Sequence, residues 1–426
     1  MSALGKDVSR YSAATVLAQV VQMVCGLAVL AWIAPAEMGI WLALQAAEAY
    51  ALWIRLGVVN AMNREYPYLL GRGEGAEALL HVQTTASYMA GCAVLLGLGF
   101  AGTALFMRGA GADWQLALVC FGIHSAGGLW RSFVEATFRG GQEFGRLVRL
   151  QLSGAVLQIL TLPLVWRWGF EGFCLRSVLL ATVLTVGWHL ARPVKAGFRF
   201  DLRVLLKLLR EGLPLFASNY LTSVTAQFPR IFLIAAGGTA LLGLYAPIAA
   251  LLAAGVLLPS TLLTFLLPRQ NFEFGQGRDV RKLAAQGWRR AGLLCAALFP
   301  LGVVGWWGAK IVVEQWMPEY VRAIPALGFA AAMVVLSPLR LVTSLFSTLK
   351  AWWPMMTHVL TSLVLTCLLS WLGWKTFPAD PLQGVVAGIF AAQLLQTIVT
   401  WQCVRWAVSD ADALTQPCVS KATPVR

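Results

Sequence analysis

The chain of 426 residues is 58% hydrophobic and 12% charged, with a net charge of +14 and a mean hydropathy of +0.70. A soluble globular chain carries about 25% charged residues, so this one has too few to cover a water-facing surface. The composition excludes a soluble enzyme or nucleic-acid-binding module and makes lipid the solvent for most of the chain.

Apolar runs recur along the sequence, each near the roughly 20 residues that a helix needs to cross a bilayer core. Backbone groups in hydrocarbon must be satisfied within the fold, which leaves helices or closed barrels. The runs are continuous rather than alternating, so an all-α integral membrane protein is expected. Taken in order, twelve spans are predicted, over 11–34, 40–61, 82–107, 114–136, 149–168, 172–191, 212–236, 244–268, 288–308, 324–349, 354–374 and 384–407. Lys6 and Arg10 precede the first run, which is too long for a signal-peptide core and lacks a small-residue cleavage site after it. It reads as an uncleaved first helix.

The connections alternate in character. Those at 35–39, 109–113 and 237–242 are short and nearly uncharged. The stretch 191–210 carries Arg192, Lys195, Arg199, Arg203, Lys207 and Arg210; the stretch 269–290 carries Arg269, Arg278, Arg281, Lys282, Arg289 and Arg290. The positive-inside rule places the basic connections and both termini in the cytoplasm. Most of the net charge is then a topology signal and implies no nucleic acid. Within 198–211, Leu202, Leu205, Leu206 and Leu209 share one helical face while Arg203, Lys207 and Arg210 lie elsewhere. That pattern suits a linker resting on the anionic inner leaflet. The predicted organisation is a six-helix lobe over 1–191, this linker over 192–211, a second six-helix lobe over 212–408 and a polar, disordered tail over 409–426.

The halves echo each other. One spacing separates Gly39 from Gly243, Gly71 from Gly275 and Gly73 from Gly277, each pair in matching topological context. Arg64 and Arg269 end corresponding spans, and Arg131 and Arg340 sit at a nearly matching offset. Six spans per half makes the repeats parallel, related by an axis along the membrane normal, with the substrate path between them.

Four stretches carry a family resemblance: Ile33-Ala-Pro-Ala-Glu-Met-Gly-Ile-Trp41, Leu56-Gly-Val-Val-Asn-Ala-Met-Asn-Arg64, Gly238-Thr-Ala-Leu-Leu-Gly-Leu-Tyr245 and Trp316-Met-Pro-Glu-Tyr-Val-Arg-Ala323. With them the chain, over nearly its whole length, resembles the Wzx-type oligosaccharide flippases of the multidrug/oligosaccharidyl-lipid/polysaccharide exporter superfamily. The resemblance implies two six-helix lobes in a V around a central cavity, working by alternating access. It implies a polyprenyl-pyrophosphate-linked oligosaccharide as cargo, moved from the inner to the outer leaflet of the bacterial inner membrane. Polysaccharide-assembly enzymes would be its partners.

Charges inside spans cost about 2.5–3.5 kcal/mol on insertion scales and are functional candidates by default. Here they are Glu48, Arg55, Arg131, Glu135, Arg176, Arg230 and Arg340. Arginine offers a diphosphate a fork of donors that stays charged, so Arg340, Arg131, Arg55 and Arg230 are the candidate substrate ligands. Arg340 follows Ser337-Pro338 and lies about 15 Å from either span end at helical rise, too deep for snorkelling. Arg131 has Glu135 at i+4, the spacing of a local ion pair. Glu48 can pair with Arg55 or carry a coupling proton. Arg176 reads as an interfacial anchor, and Arg64 and Arg269 as inner-surface charges suited to first capture of a headgroup. Asn60, Asn63, Asn219 and Gln227 can bond sugar hydroxyls or neighbouring helices. The tryptophans near span ends, such as Trp307, Trp316 and Trp353, form an interfacial belt.

Eight cysteines without CxxC spacing and four scattered histidines give no metal site, and no cofactor is expected. There is no GxxxxGK[ST] loop for ATP and no GxSxG or HExxH set, so a transporter is expected rather than an enzyme. A cation-coupled multidrug exporter of the same superfamily is the alternative, disfavoured by the basic excess inside the spans. A membrane polysaccharide polymerase would need a large outer loop, which the short connections do not provide.

Overall fold

The computed structural model describes residues 3–107, 109, 111–276 and 279–415. Among them every regular element is helical: α1 (Ala3–Leu30), α2 (Pro35–Ala51), α3 (Val58–Gly71), α4 (Gly75–Phe106), α5 (Ala112–Gly140), α6 (Phe144–Leu160), α7 (Leu162–Ala191), α8 (Leu202–Leu244), α9 (Ala246–Gly275), α10 (Val280–Trp316), α11 (Ile324–Leu336), α12 (Ser344–Thr348), α13 (Trp352–Thr376) and α14 (Pro381–Thr415). Among the described residues, eight helices are individually long and apolar enough to cross a bilayer, nine if the bent pair through α2 and α3 counts as one span. With 17 residues, α6 is shorter than that length.

The rods resolve into twelve once the breaks are placed. Helix α6 runs on through Thr161, itself in right-handed helical conformation, into the first turns of α7. The chain then reverses at Gly169 (φ 53°, ψ −128°). The reversal brings Leu184 onto Gly154 and Arg176 onto Gln158. A second break falls at Gly237 and Gly238, and 3-10 stretches at Pro318–Ala323 and Ser337–Thr343 join α11 and α12 into one rod. This is the expected bundle of twelve helices in two repeats.

One end of the bundle carries the turns at 31–34, 107–111 and 377–380; the other carries those at 72–74, 141–143, 192–201 and 349–351. We refer to them as the neutral and the basic end. At the neutral end the repeat-related glycines meet. A Cβ on Gly39 would overlap the carbonyl of Thr239, and one on Gly243 would overlap the carbonyl of Pro35. Pro35 and Thr239 are themselves repeat equivalents, so the contact is self-complementary, as a two-fold axis between the lobes requires. Tyr320 adds a buried hydrogen bond to the Ile33 carbonyl (3.0 Å).

The second span departs from its expected limits. It runs past residue 61 to Gly71 and bends by 49° at a 3-10 turn, Leu52–Arg55. Leu56 (φ 43°) and Gly57 (φ 77°) both occupy the left-handed region, where glycine alone is unstrained. Gly57 also abuts Gly212 of α8, and a Cβ on either would overlap the other's carbonyl.

The linker region also differs from expectation. Residues 192–201 form no helix, and Asp201 caps α8 by accepting from the amides of Arg203 (2.9 Å) and Val204 (3.1 Å). From there α8 is continuous into the second lobe. Leu205 and Leu208 are buried, while Leu202 and Leu206 are exposed. The stripe through 205, 208 and 212 packs against α3 and α4, so tertiary packing selects a different face from the one the leucines suggested. Helix α14 continues to Thr415, and residues 416–426 lie outside the described residues.

Candidate functional site

The two lobes are joined along α2, α3 and α8. A break in a helix frees backbone carbonyls, which must find other donors. Here Tyr220 Oη donates to the Tyr50 carbonyl (2.7 Å). The Ile54 carbonyl accepts from Tyr88 Oη (2.5 Å) and from Cys92 Sγ (3.6 Å). The turn is therefore held from both sides, by α4 of its own lobe and by α8 of the other.

Behind the turn lies a cavity of about 240 Å³ between the lobes, lined by Arg55, Gly57, Asn60, Asn219, Tyr220 and Ser223 among others. Phe216, also in its wall, stacks on Tyr220 at 5.5 Å and 20°. The expected sugar-bonding residues separate here: Asn60 and Asn219 share this cavity, Asn63 is exposed, and Gln227 has a buried, unpartnered Oε1.

The candidate charges fall into two groups. Arg55, Arg131 and Arg340 have side chains that make no hydrogen bond or ion pair among the described residues. Glu48 lies within electrostatic reach of Arg55 and beside Ser125, yet it forms no ion pair with Arg55, because the 3-10 turn interrupts the helical spacing between them. Glu135 takes Arg139 (3.5 Å) instead of Arg131 and accepts from Tyr11 Oη (3.3 Å). The two arginines stand at i−4 and i+4 from Glu135, and the structure uses the one nearer the basic end. Arg340 sits in the 3-10 stretch of the rod 318–348, the most buried of the apolar spans, yet its own side chain is exposed.

The other group is committed to structure. Arg230 donates to the Leu42 carbonyl (3.2 Å) and Gln45 Oε1 (3.3 Å), stitching α8 to α2. Arg64 pairs with Glu65 (3.3 Å) and, across the lobes, with Glu211 (3.2 Å). Arg176 is no interfacial anchor. At 8% exposure it donates to Thr161 Oγ1 and the Gln158 carbonyl, both at 3.1 Å, closing off groups freed where α6 gives way to α7. The side chain of Arg269 lies outside the described residues.

Two histidines stand beside the free arginines. His124 meets Trp41 edge-on at 5.8 Å, has an unpartnered Nδ1 and lies within electrostatic reach of Arg131. His358 lies within reach of Arg340; its carbonyl accepts from Gln396 Nε2 (2.8 Å), and Thr400 Oγ1 is 3.3 Å from its Nδ1. A count of scattered histidines does not reveal either pairing. The spacing of His124 and Arg131, seven residues apart on one helix, was the available signal for the first; the second joins α13 to another rod and has none.

No known protein family and no curated protein sequence matches the chain. Solved structures do. The chain is similar to a multidrug resistance MATE family transporter of the MOP superfamily in its inward-facing conformation, with a TM-score of 0.78, 15% identity, and 93% of this chain and 96% of that one covered. It is similar to an outward-facing MATE family transporter of the same superfamily with a TM-score of 0.64 at 18% identity, covering 96% and 97%. A MATE structure in complex with MaL6 gives 0.66 at 18% identity over the same shares. The chain therefore has the fold of the MATE transporters of the MOP superfamily.

Proposed function

We propose that this protein is an alternating-access transporter that carries a polyprenyl-pyrophosphate-linked oligosaccharide from the cytoplasmic to the outer leaflet of a bacterial inner membrane. Its fold, shared with transporters seen open to either side, supports the alternating-access mechanism. The basic end faces the cytoplasm by the positive-inside rule. One observation carries the cargo assignment: among the described residues the side chains of Arg55, Arg131 and Arg340 lie within the bundle without an ion pair or hydrogen bond. Unneutralised guanidinium groups at membrane depth are costly unless a ligand anion completes them. Arg131 and Arg340 would bind the diphosphate, one from each lobe, and Arg55 an anionic group nearer the seam. Rocking of the lobes about the Gly39–Gly243 contact would then exchange access. The sequence has no GxxxxGK[ST] loop, and an ion gradient or consumption of the delivered cargo would drive the step.

A second reading, a cation-coupled multidrug exporter, is favoured by what the similar structures are described as doing and by Glu48, an acid without an ion pair. The two readings part on the sign of the cargo. The test is the leaflet accessibility of lipid-linked oligosaccharide in cells lacking the protein. Rescue by wild type is compared with rescue by Arg340→Gln and Arg131→Gln at matched expression. Accumulation on the cytoplasmic leaflet, cleared by wild type and at least about tenfold more slowly by Arg340→Gln, supports the flippase; tenfold corresponds to about 1.4 kcal/mol. An unchanged leaflet distribution together with protein-dependent efflux of a lipophilic cation establishes the exporter instead.

A further inference from the structure

The cavity behind the break in the second span contains an unusual set of groups for a helix interface in a membrane. The side chains of Asn60, Asn219 and Ser223 make no hydrogen bond to protein among the described residues. Polar side chains between transmembrane helices ordinarily bond across the interface; these three line open space instead. The amides at the start of α3 lack intrahelical partners, and Gly57 supplies no side-chain cap. Val59 and Asn60, whose amides belong to that first turn, are in the wall. Arg55 adds a guanidinium with no hydrogen bond or ion pair. The stacked Phe216 and Tyr220 give the cavity one flat apolar wall.

From this combination we infer that the cavity at the break between α2 and α3 is a subsite for a single sugar unit bearing a carboxylate or phosphate. The amides and hydroxyl bond the ring hydroxyls, the aromatic wall covers the apolar face of the ring, and Arg55 with the α3 amides takes the anion. The sugar class rests on the proposed flippase reading; the location and the anionic preference rest on the cavity itself. At about 240 Å³ it falls below the roughly 300–1,000 Å³ of sites that enclose drug-sized ligands, so it suits one residue of a glycan better than a whole lipophilic drug. Its place between the lobes also gives the bound unit a role: Asn60 and Arg55 move with the first lobe, Asn219 and Ser223 with the second. A sugar held by both sets binds one relative position of the lobes more tightly and so biases the equilibrium between the two access states.

The test uses the purified full-length protein in detergent, with glucose 1-phosphate, glucose and tetraphenylphosphonium as probes, read by saturation-transfer NMR titration. Wild type is expected to bind glucose 1-phosphate more tightly than glucose. Arg55→Gln is expected to remove that preference, and Asn219→Ala to weaken both sugars about tenfold, the scale of one lost hydrogen bond to a ligand. Asn219→Trp, which fills the cavity, is expected to abolish sugar binding. Asn60→Ala on the opposite wall serves as a second variant if the tryptophan prevents a monodisperse preparation. Unchanged sugar affinities in Arg55→Gln and in either asparagine variant overturn the subsite, as does tighter, cavity-dependent binding of tetraphenylphosphonium. The leaflet assay separates the two claims. Wild-type flipping by Arg55→Gln and Asn219→Trp removes the subsite and leaves the flippase reading intact. Variant-sensitive sugar binding with no leaflet phenotype in cells lacking the protein removes the flippase reading and leaves the anionic sugar site.

Discussion

The seam between the lobes is built in two different ways at its two ends. At the neutral end, backbone meets backbone: Gly39 and Gly243 leave no room for a methyl group against Thr239 and Pro35, and the buried Tyr320 hydroxyl completes the contact. Toward the basic end, the lobes are held by side-chain charge. Arg64 reaches Glu211 at 3.2 Å with side-chain exposures of 68% and 25%, and Lys207 reaches Glu77 at 3.5 Å. Steric complementarity is short-ranged and fails abruptly when an atom is added. Exposed ion pairs are weak and tolerate displacement and screening. A seam built this way has a latch at one end that fits or fails, and at the other a loose strap that permits motion.

The strongest way to break the contrast is to add atoms at the latch. Gly243→Val is expected to destabilise the closed neutral end by about 1–3 kcal/mol, the usual cost of overpacking, or about 5- to 150-fold in population. Spin labels at the exposed positions Phe106 and Phe377, one at the neutral end of each lobe, report it as a shift to longer distances. An unchanged distance distribution sinks the latch. Gly57→Ala tests the middle of the seam. Its positive φ costs a residue with a Cβ about 1–2 kcal/mol, and the Gly212 carbonyl occupies the space, so thermal stability in detergent is expected to fall. Tyr320→Phe deletes one buried hydrogen bond of the latch and leaves the Ile33 carbonyl without it, an expected loss of about 1 kcal/mol, visible as a smaller shift in the same label distances. Glu211→Gln, at the strap, is expected to change stability by less than about 1 kcal/mol, and by less still in high salt. A larger, salt-resistant effect there would mean that the basic end is also a latch.

Much of the architecture was legible because it rests on short-range chemistry. Apolar length placed the twelve rods, and even the reversal at Gly169 falls between two expected spans. The repeated glycines were visible as a spacing, though not that Gly39 and Gly243 touch each other across an axis. The break at residues 52–57 was hidden because Leu52, Trp53 and Ile54 keep the hydrophobic run unbroken; what opens it is the contact of Gly57 with Gly212, far away in sequence. Arg176 shows the same limit. Its distance from a span end is equally compatible with a lipid interface and with a helix terminus needing donors, and only the packing of α7 on α6 decides between them. For Glu135, arginines stand four residues away on both sides, at 131 and 139; the acid-before-base order favours Arg139, but only the structure shows that Arg131 is left without an ion pair.

Sequence alone determined that lipid surrounds this protein, that its spans are helices and that its halves repeat, because hydrophobicity, helical length and charge bias act locally along the chain. Which arginines stay unpaired was decided only by the tertiary structure, as was the juxtaposition of Asn60 and Asn219 and the place where the lobes lock. Those properties depend on which distant carbonyl, carboxylate or glycine the fold brings within a few ångströms.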